Sequence, residues 1–105
     1  MKVVVTNGHC AIHRGANVRF NPIFLPLDNV SQAHLRYGFV ACVTKTGQCQ
    51  IFSRQGKHVH TYHFGDTRSA EIVGKNRVAV VRSRGWTEIY DFEGCQLSVL
   101  SRWSE

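Results

Sequence analysis

The chain has 105 residues, of which 43% are hydrophobic and 19% charged, and this composition favours a folded domain over a disordered segment. Every apolar run is shorter than the roughly 18 residues of a membrane span, and the three valines after Lys2 are too few for a signal-peptide core. We therefore expect one domain over residues 1–105, no membrane association and a cytoplasmic location.

The formal net charge of +6 is unevenly distributed along the chain. Residues 1–63 carry seven Lys or Arg side chains against Asp28 alone, whereas residues 64–105 carry six basic and six acidic side chains. All six histidines also lie in the first 63 residues, so acidification increases this asymmetry.

Short strands separated by glycine-containing turns are predicted along the whole chain. The first repeat, about residues 1–30, has predicted strands at 2–6, 10–13 and 18–20. The second, about residues 31–66, has them at 33–37, 39–44, 48–53 and 58–64. The third, about residues 67–105, has them at 70–73, 77–82, 87–92 and 96–100. The pattern predicts an all-β antiparallel meander of eleven strands, and no window predicts a helix.

A short motif repeats along the chain. GHCAI at residues 8–12 returns as GQCQI at 47–51 and, in skeleton, as GWTEI at 85–89, at offsets of 39 and 38 residues. Such a period indicates a supersecondary unit that must stack on its neighbours to bury its apolar faces. The repeat predicts that Ile12, Ile51 and Ile89 are equivalent, deeply buried core positions.

The third repeat carries a resemblance to a known architecture. The strand RVAVV at residues 77–81, a glycine turn, EIYDFEG at 88–94 and a fourth apolar strand resemble a blade of a β-propeller. The resemblance implies four strands per unit, of which the first repeat lacks the first. Propellers typically have at least four blades, so about three units predict an open arrangement or assembly with further copies. A β-trefoil is the alternative fold with threefold repetition.

The segment at residues 21–27 interrupts the repeat and contains both prolines. Because proline cannot donate to a strand ladder, the segment is not expected to form a central strand. Its apolar side chains are expected either to fold over the open end of the core or to form an intermolecular contact. These side chains are Ile23, Phe24, Leu25 and Leu27.

Residue patterns for catalysis and metal binding are weak. His58 and His60 share a strand face while His63 points the other way, so the three do not converge on a metal. The four cysteines lack metal-finger spacing and, without a visible export signal, are expected to be free thiols. Cys10 and Cys49 occupy equivalent positions typical of small core residues. We expect no metal, no cofactor and no enzymatic activity.

Basic residues are predicted to gather at one end of the meander, because alternate turns share an end. The residues predicted there are Arg14, Arg36, Arg54, Lys57, Lys75 and Arg77. Tyr37 lies beside them as a stacking surface for nucleic acid, although a solvated basic rim explains the same pattern.

Trp86 directly follows a turn glycine, at a position predicted to be exposed. It is suited to stacking on a sugar or a base, or to packing across the turn. Trp103 is the second tryptophan.

Together these features predict a non-catalytic β-repeat binding module that associates with itself. The alternative is a module that binds nucleic acid or another polyanion.

Overall fold

The computed structural model describes residues 1–15 and 21–100, and within these residues the chain forms eleven β-strands and no helix. The strands are β1 Lys2–Thr6, β2 His9–His13, β3 Ile23–Phe24, β4 Val30–Arg36, β5 Phe39–Thr44, β6 Cys49–Ser53, β7 His58–Tyr62, β8 Thr67–Gly74, β9 Arg77–Arg82, β10 Thr87–Asp91 and β11 Gln96–Leu100. In this described part of the chain, no helix has the length and apolar character needed to cross a bilayer.

The strands form three antiparallel sheets in chain order. The first sheet is β1-β2-β3, the second is β4-β5-β6-β7, and the third is β8-β9-β10-β11. Each strand pairs with its neighbour in sequence, because short turns reverse the chain between them. The predicted all-β antiparallel meander is confirmed, and the first sheet has one strand fewer than the others.

The second and third sheets repeat the same register. In the second sheet Ala41 pairs with Ile51, and in the third Ala79 pairs with Ile89. The outer strand pair of each sheet shifts register immediately after that isoleucine, between β6 and β7 and again between β10 and β11. The repeat predicted from GQCQI and GWTEI therefore corresponds to a structural repeat, including its bulge.

The repeated glycine of the motif holds a turn against the start of the next sheet. Gly8 and Gly47 have φ values of 83° and 85°, in the region that favours glycine. A Cβ at Gly8 would collide with the Asp28 carbonyl, and one at Gly47 with the backbone of Gly65. Their carbonyls accept hydrogen bonds from the N–H groups of Val30 at 2.9 Å and Thr67 at 3.0 Å. Close backbone approach explains why these positions hold glycine.

Two apolar cores lie between the three sheets, one between each neighbouring pair. The core between the first and second sheets contains Cys10, Ile12, Leu25, Val30, Val40, Cys42 and Phe52. The core between the second and third sheets contains Ala41, Val43, Cys49, Ile51, Tyr62, Ala70, Ile72, Val78, Val80, Tyr90 and Phe92. Successive residues of a strand point to opposite faces, so the second sheet contributes to both cores.

The prediction that three equivalent isoleucines are deeply buried is correct for two of them. Ile12 and Ile51 are 0% exposed, whereas Ile89 is only half-buried. The register of Ile89 matches that of Ile51, so the repeat alignment holds. The difference arises because Ile51 faces the third sheet, while in the described part of the chain no sheet follows to cover Ile89.

The proline-containing segment forms an edge strand. Ile23 pairs with Ile12 and Phe24 pairs with Ala11, which places β3 beside β2. Ile23 and Leu27 pack against the first core and Leu25 is buried within it, whereas Phe24 is 68% exposed. The strand predicted at residues 18–20 lies outside the described residues. An edge position tolerates the flanking prolines, since one side of the strand needs no partner.

Side-chain hydrogen bonds join the first strands of the second and third sheets. His34 Nδ1 accepts a bond from the N–H of Ile72 at 3.0 Å, and Gln32 Nε2 donates to the carbonyl of Arg68 at 2.6 Å. Both bonds run from β4 to β8. These polar links fix the two sheets to each other on the side where β4 and β8 meet.

Candidate interaction surfaces

The outward face of the third sheet carries an apolar patch, which we call the open face. Strand alternation and pairing place Ala79 beside Ile89 and Val81 beside Thr87, with Leu100 opposite Thr87 on β11. Val73 on β8 is also exposed, as the neighbour of buried Ile72. The open face contains Val73, Ala79, Val81, Ile89 and Leu100.

The open face is the repeat equivalent of a face that the same chain buries. The corresponding residues of the second sheet are Ala41, Val43, Cys49, Ile51 and Tyr62, all of which belong to the second core. Both faces combine small residues on the second strand of the sheet with an isoleucine on the third. A surface of this composition is suited to sheet packing, and in the described residues nothing packs on it.

The outward face of the first sheet, here called the outer face, is smaller and basic. Val4 pairs with Ala11 and Ala11 pairs with Phe24, so three apolar residues form a row across β1, β2 and β3. Lys2 pairs with His13 beside this row. The outer face therefore combines an exposed phenyl ring with positive or titratable groups.

The structure brings two of the six predicted basic residues to one cavity. Arg14 and Arg54 line a cavity of about 340 Å³ together with Met1 and Gln55. The backbone N–H of Arg54 also donates to the Gly38 carbonyl at 3.0 Å, which joins neighbouring turns of the second sheet. Arg14 follows β2 of the first sheet and Arg54 follows β6 of the second sheet, and both line this cavity.

The other four predicted basic residues lie in or beside the remaining turns of this end, which we call the basic turn end. The Arg36 guanidinium lies 4.9 Å from the centre of the Tyr37 ring, and Lys57 follows in the β6–β7 turn. Lys75 lies in the β8–β9 turn of the third sheet, and Arg77 is the first residue of β9. All six are exposed, and in residues 1–15 and 21–100 none forms a salt bridge.

The three histidines near β7 have separate environments. His58 Nε2 lies 2.7 Å from Thr61 Oγ1, His60 packs edge-on against Tyr62, and His63 Nδ1 lies 3.5 Å from the Gln48 amide. Among the described residues, no group of three or more His, Cys, Asp or Glu side chains has the geometry to hold a metal ion.

The cysteines are free, and three of them are buried. Burial raises the pKa of Cys49 to about 12, and the pKa of Cys42 is also raised, first by its hydrogen bond with Cys10 and then by burial. The prediction that Cys10 and Cys49 are core residues is confirmed. Because their raised pKa values keep the Cys42 and Cys49 thiols neutral, these two side chains are poor nucleophiles and serve packing.

Arg82 is the centre of a polar pocket that the sequence did not reveal. Its Nε donates to Asp66 Oδ1 at 2.7 Å, its Nη1 lies 3.6 Å from Glu88 Oε1, and its guanidinium lies 4.3 Å from the centre of the Phe64 ring. A hydrogen bond from Arg82 holds the pKa of Asp66 below its usual value. Since Asp66 is 16 positions from Arg82, only the tertiary structure shows the pair.

The pocket beside Arg82 has a volume of about 590 Å³ and also contains Ser83, Trp86 and Gln96. Trp86 is 47% exposed, as predicted from its position after a turn glycine. Tyr90 donates from its hydroxyl to Glu88 Oε1 at 2.8 Å, and Gln96 Nε2 lies 3.4 Å from the Tyr90 oxygen. The polar side chains are therefore held in place by one another beside an exposed indole.

No protein-family model matches the chain, and a search of curated proteins finds no match to its sequence.

Proposed function

We propose that this chain is a non-catalytic assembly module whose three sheets are β-propeller-like blades and whose open face binds a second copy. The observation that carries the proposal is the repetition, on the third sheet, of the apolar face that the second sheet buries completely. A face of this kind loses contact with water only when another sheet covers it, and burial of apolar area favours that contact.

The outer face of a second copy is the partner that the open face fits best. The open face carries Glu71, which pairs with Ala79, whereas the outer face carries Lys2, His9 and His13. Contact between two open faces would instead bring two Glu71 carboxylates together. Opposite charges at the rim orient the encounter and disfavour the like-charged alternative.

Head-to-tail contacts of this kind close into a ring when the rotation between copies permits it. Three sheets from each of two copies give about six, which falls in the usual range of four to eight blades. The proposed assembly is therefore a closed dimer with two equivalent contacts. Light scattering should give a mass of twice the 11.9 kDa of one chain.

Two charge substitutions test the contact from its opposite sides. Ile89→Glu places a carboxylate on the open face, and Phe24→Glu places one on the outer face, so each variant alone should be monomeric at micromolar concentration. A mixture of the two variants retains one intact pair of faces and should form a heterodimer. Val59→Glu, at an exposed apolar site on β7, is the matched control and should remain dimeric.

Three outcomes would contradict the proposal. A wild-type monomer at micromolar concentration shows that no assembly forms. A mixture of Ile89→Glu and Phe24→Glu that stays monomeric excludes a contact between unlike faces. A monomeric Val59→Glu variant shows that a charge placed away from both faces also prevents assembly, so the assigned contact is wrong. Circular dichroism of each variant checks that it remains folded.

Polyanion binding at the basic turn end is the second candidate function, and the convergence of Arg14 and Arg54 on one cavity favours it. Several cations near one another bind phosphates by releasing counterions, so affinity should fall steeply between about 50 and 200 mM salt. Arg14→Glu, Arg54→Glu and Lys57→Glu combined should abolish binding to single-stranded DNA. Binding that survives this triple variant, or no binding at low salt, rejects this function without affecting the assembly proposal.

A further inference from the structure

The pocket around Arg82 has features that neither assembly nor the basic turn end uses. Its polar groups lie on the face of the third sheet that points toward the second sheet, because Glu88 and Tyr90 alternate with Ile89 of the open face. The pocket is thus separate from the open face. Its volume of about 590 Å³ lies within the usual range of small-ligand sites.

The charges that line the pocket balance. Asp66 and Glu88 are opposed by Arg82 and Arg84, so the local field favours neither an anion nor a cation. Donors and acceptors nevertheless alternate along its wall, since Ser83 donates to Asp66 Oδ2 at 2.8 Å and Arg82 lies between the two carboxylates. A neutral ligand with many hydroxyl groups matches this arrangement, because each hydroxyl both donates and accepts.

Trp86 supplies the apolar part of the site. Its indole is 47% exposed at the pocket wall, and Val99 beside it is also exposed. A pyranose ring has one face made of C–H groups, which packs on an aromatic ring while the hydroxyls around its edge form hydrogen bonds. A nucleobase also stacks on an aromatic ring, but it offers fewer hydrogen-bonding groups than a sugar to the four charged side chains of the pocket.

We propose that this pocket binds a neutral oligosaccharide, with Trp86 stacked on one sugar ring. Arg82, Asp66 and Glu88 form a positioned set of hydrogen-bonding groups around that ring. Arg82 is held by its carboxylate partners and by the Phe64 ring before any ligand arrives, so binding orders few additional side chains. The inference is independent of the proposed assembly.

Saturation-transfer difference NMR on the full chain tests the site with four neutral probes: maltotetraose, cellotetraose, xylotetraose and chitotetraose. At least one probe should receive saturation, and its C–H protons that face the indole should receive the most. The same probe should change the fluorescence of Trp86 in a Trp103→Phe background, where Trp86 is the remaining tryptophan.

Variants separate stacking from other causes. Trp86→Ala should weaken binding of the active probe by about tenfold or more, whereas Trp86→Phe should retain part of the affinity because it keeps an aromatic face. Val59→Glu, on β7 and outside both the pocket and the open face, should leave binding unchanged. Circular dichroism of Trp86→Ala confirms that the fold is intact.

The proposal is overturned if none of the four probes binds, if binding survives Trp86→Ala unchanged, or if adenosine or uridine binds at this site and the oligosaccharides do not. A heparin fragment that competes with the active probe would also overturn it, since balanced charges in the pocket should favour uncharged ligands.

Discussion

Three equivalent isoleucines occupy different environments in this protein. Ile12 and Ile51 are enclosed because a sheet packs on the face to which each belongs, whereas Ile89 occupies the same register on a face without such a neighbour. The stabilisation that a side chain provides therefore depends on the next sheet and not on the strand alone.

We predict that truncation of these isoleucines has unequal costs in the monomer. Ile51→Ala and Ile12→Ala should each lower the free energy of unfolding by about 2–5 kcal/mol, as for other buried aliphatic deletions. Ile89→Ala should cost about 1 kcal/mol, which is typical of partly exposed sites. Urea unfolding of dilute protein measures all three, and equal costs for Ile51 and Ile89 would show that the open face is covered.

Burial also determines which cysteine side chains can react in the folded protein. We predict that one thiol, Cys95, reacts with a disulfide reagent in the folded protein and that all four react in denaturant, because the other three are buried. The raised pKa of Cys49, about 12, means that its burial contributes stability below the ordinary thiol pKa and that this contribution is lost as the pH rises toward 12. Two or more fast-reacting thiols in native protein would contradict this packing.

The connection between β7 and β8 depends on a small polar cluster. Asp66 follows β7 and accepts hydrogen bonds from Arg82 Nε and Ser83 Oγ at the end of β9. These bonds join the start of the third sheet to its second hairpin. The cluster also forms part of the wall of the polar pocket.

We predict that this cluster stabilises the protein less in acid. The pKa of Asp66 is lowered by Arg82, so its contribution is present above the ordinary carboxyl pKa and is lost as the pH falls through the depressed value. Asp66→Asn should therefore be less stable than wild type at neutral pH and equally stable in strong acid. Denaturant unfolding at both pH values measures the difference, and a constant difference would rule out the ionic contribution.

Element positions were predictable where short runs rich in Val, Ile, Thr and aromatic residues lie between glycine-containing turns, as in β5, β6, β9 and β10. They were less predictable where a bulge occurs. The register shifts between Val30 and Gln32 and between Thr67 and Ser69, so the strands start before the apolar pattern does. The proline segment likewise joined the sheet at its edge, which depends on a partner strand that local sequence does not specify.

The candidate surfaces also differ in how far the sequence alone predicts them. The basic turn end was predicted from the alternation of turns, and two of its residues, Arg14 and Arg54, line one cavity although 40 positions of sequence separate them. The open face follows from alternation in β9 and β10, but its exposure depends on the number of sheets that pack together. The pocket around Arg82 combines residues from the β7–β8 connection and from three strands or turns of the third sheet, so no local pattern indicates it.

At the scale of the whole molecule, the two terminal sheets differ in charge and in apolar content. The basic first sheet and the more balanced third sheet present unlike surfaces at opposite ends of the stack, whose longest dimension is 48 Å. Unlike ends favour association in one direction.

We predict that the melting temperature rises with protein concentration, because binding between copies stabilises the folded state by mass action. Ile89→Glu and Phe24→Glu should remove this dependence, while Val59→Glu should retain it. Scanning calorimetry over a hundredfold range of concentration measures the effect, and a constant melting temperature for the wild type would indicate that the folded chain does not associate.

The second sheet contributes one face to each core, and this has a consequence for how the chain unfolds. Loss of the first sheet would expose Val40, Cys42 and Phe52, and loss of the third would expose Ala41, Val43 and Ile51 on the opposite side of the same strands. Neither terminal sheet can detach without weakening the support of the other. Although the chain is built from repeats that contact only their neighbours, a disturbance at one end is therefore transmitted to the other end through a single layer of four strands.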